Sequence, residues 1–190
     1  MTTRVLIAED ETLIRLDLRA QLESAGYLVC GEARDGEEAV RLAASEQPDV
    51  VLLDVKMPNL DGLEAAKQIL ATRRLPILLL TAYADRELVR RAAGIGAFAY
   101  LTKPFNPDSL PPAIELALAR HDELQAVREE SASLADALAA RKSIERAKGL
   151  LMEREGISEG EAFARLRQAS QRSGQSLKVI ADALVAAIGT

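Results

Sequence analysis

Val50-Val51-Leu52-Leu53-Asp54-Val55-Lys56-Met57-Pro58 sets an unbroken aliphatic run against one acid, and a proline closes the segment. Continuous rather than alternating hydrophobicity fits a strand buried on both faces, as in a parallel sheet covered by helices. Runs of the same kind occur at Val5-Leu6-Ile7-Ala8, Ile77-Leu78-Leu79-Leu80 and Phe98-Ala99-Tyr100-Leu101, with a weaker one at Leu28 to Cys30. Helix-like segments at 11–25, 35–46, 61–71 and 85–93 are long enough to be crossovers. In the first, Leu13, Leu16, Ala20 and Leu22 form an apolar stripe, and Gly26 suits the C-terminal cap. Strand and helix thus alternate five times, which predicts an α/β domain with a doubly wound five-stranded parallel sheet.

From Pro107 onward no strand signal returns. Leu124, Val127, Ser131, Leu134, Leu138, Arg141, Glu145 and Lys148 fall at alternating spacings of three and four, apolar at first and polar after 140. Gly and Pro are absent from 113 through 148. The pattern predicts a long connecting helix able to form part of a coiled coil; a lone helix packed on its own domain is the plainer alternative. Two shorter helices come after it. Ser158-Glu159-Gly160-Glu161 has capping-box spacing, with Ala162, Phe163 and Leu166 as the apolar stripe. Gly174 ends that helix, Ser176 can cap the next, and Leu177, Ile180, Leu184 and Ile188 form its stripe. The expected division is an α/β domain at 1–120, a connecting helix or coiled coil at 121–140, and a small three-helix all-α domain at 141–190.

Composition bounds the classes. With 190 residues, 48% hydrophobic and only 3% aromatic, the chain can build a core, and that core must be aliphatic. The net charge of −5 argues against coating nucleic acid by bulk charge, though not against a local basic face. Cys30 stands alone, so neither an internal disulfide nor a cysteine-rich metal site can form; it reads as a small apolar residue of a strand. His121 has no ligand set around it and reads as a surface residue. No apolar run approaches the roughly 20 residues of a membrane span and no leader is evident, so no membrane partner and a cytoplasmic location are expected.

The chemistry lies directly after the apolar runs. Glu9, Asp10 and Glu11 come after the first, Asp54 after the third, Thr81 after the fourth and Lys103 after the fifth. In a doubly wound sheet these positions are carboxyl ends of strands, where ligand crevices form. Each residue alone could be an ordinary loop or cap residue; the whole set converging is what points to a site. Clustered carboxylates repel and call for a cation, and hard oxygen ligands favour Mg²⁺. A carboxylate there can act as a nucleophile and become an acyl phosphate. An aspartyl-phosphate phosphatase would also place an Asp after a buried strand, but it needs a second acid two residues later, where this chain has Lys56.

Glu9-Asp10, Leu53-Asp54-Val55-Lys56-Met57-Pro58, Asp61-Gly62, Thr81-Ala82 and Lys103-Pro104, in that order across about 4–120, resemble the receiver domains of two-component response regulators. The resemblance implies that Asp54 is the phosphoacceptor and that a sensor histidine kinase is the donor. It implies that Glu9, Asp10, Asp54 and the backbone carbonyl of Lys56 hold Mg²⁺. Thr81 and Lys103 would contact the phosphoryl group, Thr81 and Tyr100 would act as the switch, and Lys103-Pro104 would be cis. Such a chain is a phosphoacceptor signalling protein, capable of slow self-dephosphorylation, rather than an enzyme.

Charge separates the two halves. Residues 1–112 carry 13 Lys/Arg against 17 Asp/Glu, whereas 141–178 carry nine basic residues against five acids. A local net of +4 fits a nucleic-acid footprint, and equally a solvated helix face. Ala147-Lys148-Gly149-Leu150-Leu151-Met152, Ser158-x-x-Glu161-Ala162-Phe163-x-x-Leu166-Arg167-x-x-Ser170 and the late Ala181 resemble an ANTAR domain, the RNA-binding antitermination module. That resemblance implies hairpin RNA as partner, and the Leu124 to Leu138 seam leaves a homodimer on phosphorylation as a further expectation. Lys148, Arg165, Arg167 and Ser170 are the candidate RNA contacts; Phe163 reads as core, Ala147 and Gly149 as close-packing positions, and Glu161 as a cap. A helix-turn-helix output binding duplex DNA, or an adaptor docking a protein, are the alternatives.

Overall fold

The computed structural model describes residues 2–82, 90, 94 and 99–188. Five strands form one parallel sheet in the order β2-β1-β3-β4-β5: β1 Arg4–Ala8, β2 Leu28–Ala33, β3 Val50–Asp54, β4 Ile77–Thr81 and β5 Ala99–Thr102. Helices α1 (Thr12–Ser24), α2 (Gly36–Glu46) and α3 (Gly62–Thr72) connect them. The helix expected at 85–93 lies, apart from Arg90, outside the described residues, as does Phe98. A short 3₁₀ turn, Pro107–Ser109, leads into α4 (Leu110–Glu155), and then come α5 (Glu159–Ser173) and α6 (Leu177–Ile188). The chain divides into two compact units, 1–125 and 126–190, and α4 runs from the first into the second.

The continuous aliphatic runs are explained by two cores, one on each sheet face. Alternate residues of a strand point to opposite sides. Leu6, Ala8, Val51, Leu53, Ile77 and Leu79 join α2 and α3 on one side. Val5, Ile7, Val50, Leu52, Leu78 and Leu80 join α1 and the first turns of α4 (Leu110, Ile114, Ala117) on the other. Every residue of β3 and β4 is buried.

Of the stripe read on α1 only Leu22 faces inward; the face the fold uses is rotated from Leu13, Leu16 and Ala20. Leu18 and Leu22 are buried and Ile14 packs beside them, while Leu13 is 82% exposed and Leu16 is also exposed. Spacing of four along 14, 18 and 22 gives as good a helical face as the expected one, and contact with the sheet selects it. Gly26 has a φ of +88°, as a helix-terminating glycine should. Cys30 is half-buried, donates its thiol to the Val5 carbonyl at 3.4 Å, and burial pushes its pKa up.

The second unit closes a small core of Ala147, Leu151, Ala162, Leu166 and Ala181, flanked by Ile144, Ile157, Ile180, Leu184 and Val185. The capping box is complete: Ser158 accepts from the Glu161 amide and the Glu161 carboxylate accepts from the Ser158 amide. Gly174, at φ +68°, caps α5, and the Ser176 hydroxyl accepts from the Val179 amide at 3.3 Å. Two expectations fail here. Phe163 is 42% exposed, because Ala162 and Leu166 alone take the inward positions of α5. Gly149 is exposed and a Cβ there would meet nothing within 4 Å, so Ala147 supplies the close packing without it. Along α4, Leu124, Val127, Leu134 and Leu138 are all exposed, leaving the apolar part of the seam uncovered in the single chain.

Candidate functional site

Parallel register brings the strand ends of the first unit to one edge: Ala8 pairs with Leu53, Asp54 with Leu80, and Thr81 with Thr102. The polar residues at and just beyond those ends therefore converge. The carboxylates of Glu9, Asp10 and Asp54 offer oxygens all within 4.8 Å of one another. Glu9 is fully buried, Asp54 and Thr81 are buried, and Asp10 is exposed.

Lys103 crosses this cluster. Its Nζ donates to Glu9 Oε2 at 2.5 Å and to Asp54 Oδ2 at 2.7 Å. Its backbone is held in place by its own amide, which donates to the Thr81 carbonyl at 2.8 Å, and the Lys103–Pro104 bond is cis. Burial raises the Glu9 pKa, and the hydrogen bond from Lys103 offsets only part of that. Burial by itself lowers the Lys103 pKa, but its bonds to Asp54 and Glu9 together outweigh it and hold the ammonium above the usual lysine range. Three carboxylates against one ammonium leave the cluster strongly negative, and all its ligand atoms are hard oxygens. The donor set therefore suits a small divalent cation.

Backbone contacts position Asp54. The Lys56 amide faces Asp54 Oδ1 at 3.4 Å. The Gly62 amide donates to the Val55 carbonyl at 3.0 Å, and a Cβ on Gly62 would stand 1.9 Å from the Asp54 carbonyl oxygen. Gly62 is thus required by close approach, beyond the turn chemistry its sequence suggests; Asp61 caps α3 by accepting from the Glu64 amide at 2.8 Å. Sequence reading missed Arg15. Its guanidinium donates to the Glu9 carbonyl at 2.6 Å and pairs with Glu32, bracing the acidic turn. One arginine on a helix carries no motif that could have marked it. Tyr100 is half-exposed on β5, opposite Leu79 in register.

The four candidate RNA contacts of the second unit divide into two kinds. Lys148 is only 8% exposed and donates to Glu145 at 2.9 Å and Glu159 at 2.5 Å, bonds that raise its pKa. It ties α4 to the start of α5. Arg165 pairs with Glu155. Ser170, half-buried, donates its hydroxyl to the Gln175 carbonyl at 2.6 Å. Arg167 is exposed and makes no ion pair among the described residues, and Arg141, Lys142, Arg146, Arg154 and Arg172 are exposed as well.

Comparison with known proteins accounts for both units. Residues 5–115 match the response regulator receiver domain and residues 132–185 match the ANTAR domain. The chain is similar to the transcriptional regulatory protein PdtaR of Mycobacterium tuberculosis, 48% identical over 187 residues, which span 98% of this chain and 91% of that protein. Among solved structures, it is similar to the signal receiver domain of a modulated diguanylate cyclase from Desulfovibrio desulfuricans G20, at 41% identity and a TM-score of 0.60, over 64% of this chain and 98% of that one. It is also similar to the chemotaxis protein CheY4 of Vibrio cholerae, at 34% identity and a TM-score of 0.58, over 60% of this chain and 98% of that one.

Proposed function

Because this chain belongs to the two-component response regulators, with a receiver domain and then an ANTAR domain, we propose that phosphorylation of Asp54 switches it to bind hairpin RNA and prevent transcription termination. The observation that carries the reading is the convergence of Glu9, Asp10, Asp54 and Lys103 at the carboxyl ends of the strands, in a chain whose basic excess lies in another unit. It is a signalling protein: the receiver implies a histidine kinase as phosphodonor, and the ANTAR domain implies RNA.

Glu9, Asp10, Asp54 and the Lys56 carbonyl would hold Mg²⁺, which when bound neutralises the carboxylates and the incoming phosphoryl oxygens. An Asp54 carboxylate oxygen attacks the phosphorus of the kinase's phosphohistidine. The P–O bond forms as the N–P bond breaks, and the imidazole nitrogen leaves with the electron pair and takes a proton from water. Lys103, already 2.7 Å from Asp54 Oδ2, is placed to track the new phosphoryl oxygens and balance their charge. Thr81 would hydrogen-bond the phosphoryl group and Tyr100 would move inward with it, changing the face that β5 contributes to. Slow self-dephosphorylation resets the site.

In functional terms 1–120 is the phosphoacceptor module, 121–140 the connecting helix and 141–190 the RNA-binding module. The uncovered Leu124, Val127, Leu134 and Leu138 supply the seam for a homodimer formed on phosphorylation. No helix among the described residues is long and apolar enough to cross a membrane, and we place the protein in the cytoplasm, with its transcripts.

Electrophoretic mobility shift of the phosphorylated and unphosphorylated protein on hairpin RNA and on duplex DNA of equal charge tests the reading. Phosphorylation is expected to strengthen RNA binding selectively. Asp54→Asn, which changes only one buried atom, should fold normally, take no label from acetyl phosphate and Mg²⁺, and show no such response. Equal competition by duplex DNA overturns the RNA assignment, and full labelling of the variant overturns Asp54.

A further inference from the structure

Phe163 is the last aromatic residue of the chain, since none comes after Phe105 but this one. An apolar ring on a short amphipathic helix belongs in the core beneath it, yet the core of the second unit closes on Ala162 and Leu166 and leaves Phe163 outside. It is the only large apolar side chain exposed on α5. Its neighbours on the same face keep it open. A helical side chain leans over the preceding turn; three residues back is Gly160, where even a Cβ would meet nothing within 4 Å. One turn ahead, at the spacing that makes side chains neighbours, is Arg167. Lys148 and Arg165 are held by glutamates, whereas Arg167 is exposed and makes no ion pair among the described residues.

A single ring within a polar, net-basic surface is too small to be a protein-docking patch, which needs contiguous apolar area. It suits a ligand that offers a flat π-face beside a negative charge. An unpaired nucleotide does so, and a paired one does not, because its base is stacked within the helix. We infer that Phe163 stacks on an unpaired base of the RNA and Arg167 holds a neighbouring phosphate, so that this pair selects loop over stem. The inference rests on the RNA-binding reading above and adds the residues that distinguish single-stranded from paired RNA.

The chain has no tryptophan, so Phe163→Trp introduces one fluorophore at the place in question. The full-length variant, phosphorylated with acetyl phosphate and Mg²⁺, is titrated with tandem RNA hairpins enriched on the parent protein from a pool with fixed stems and randomised loops. A blunt RNA duplex built from the same stems is the comparison. Hairpins are expected to quench the emission and the duplex to leave it unchanged. Phe163→Ala should weaken hairpin binding about tenfold, within the range of one lost base stack, with duplex affinity and thermal midpoint close to the parent's. Phe163→Leu keeps the apolar bulk without a ring and should lose binding to a similar degree. Parent-like hairpin affinity in Phe163→Ala or Phe163→Leu overturns the stacking role while leaving RNA binding intact. If the parent protein itself binds no hairpin, the RNA reading fails and this inference with it.

Discussion

Lys103 bridges Glu9 and Asp54, and its two short bonds set out what removing it would do. Lys103→Ala leaves Glu9 and Asp54 without their shared ammonium. Mg²⁺ is an alternative counter-charge for the same carboxylates, so the variant should bind the ion at least as tightly as the parent, by isothermal titration. What it should lack is the group that tracks the phosphoryl oxygens. Labelling of Asp54 with no gain in RNA affinity is the expected result; a parent-like gain would remove Lys103 from the switch. The convergence of Glu9, Asp10, Asp54 and Lys103 was open to reading from the sequence, because each stands at or within two residues of the end of a recognisable aliphatic run. Lys148 was not. A lysine in a basic segment looks like a phosphate contact, and only the fold reveals Glu145 and Glu159 beside it, the second of them 11 residues away. Phe163 misleads in the opposite direction, since apolar character says nothing about which flank of α5 meets α4.

Among the elements, α3 shows how tightly the site is built into its support. Gly62→Ala would force a Cβ to within 1.9 Å of the Asp54 carbonyl oxygen, so backbone must move. A loss of roughly 1–3 kcal/mol is expected, as for other overpacked sites, read as a lower urea midpoint together with slower acetyl-phosphate labelling. Gly149→Ala is the control, because that helical glycine faces open space and alanine should instead add up to about 1 kcal/mol. The junction of α1 and β2 offers a pH test. Tyr27 donates to Glu115 of α4 at 2.9 Å, and burial, then that bond, pushes its pKa up to about 12 from 10.0. A raised folded-state pKa means the contribution is complete below pH 10 and disappears as pH rises toward 12. Tyr27→Phe should therefore flatten the alkaline limb of the stability profile; an unchanged limb would show that Tyr27 does not govern it. Element types were legible because buried strands and capped helices leave strong local signals. Which face of α1 turns inward was not, because Leu13-Leu16 and Ile14-Leu18-Leu22 are both apolar, and the sheet alone decides between them.

At the scale of the molecule, the uncovered seam of α4 is the surface through which, on the proposed reading, phosphorylation would act on assembly. Leu124, Val127, Leu134 and Leu138, exposed at coiled-coil spacing, suit a second helix as their cover. Sedimentation velocity should show the phosphorylated protein shifting toward a dimer. Leu134→Glu, which puts a charge into the seam, should raise the dissociation constant at least about tenfold, or 1.4 kcal/mol. A dimer that withstands the substitution would place the interface elsewhere. The fold also has a consequence in time. The polar contacts named in the second unit span at most 11 residues: Glu145 to Lys148, Lys148 to Glu159, Ser158 to Glu161, Ser170 to Gln175. The acidic site instead ties Lys103 to Glu9 across 94 residues and to Asp54 across 49, and Tyr27 reaches Glu115 across 88. Chains close local contacts sooner than distant ones. In refolding, the helices of the second unit are therefore expected to form before the acidic site, so Mg²⁺ binding at Glu9, Asp10 and Asp54 should return only once β1, β3 and β5 have all come together.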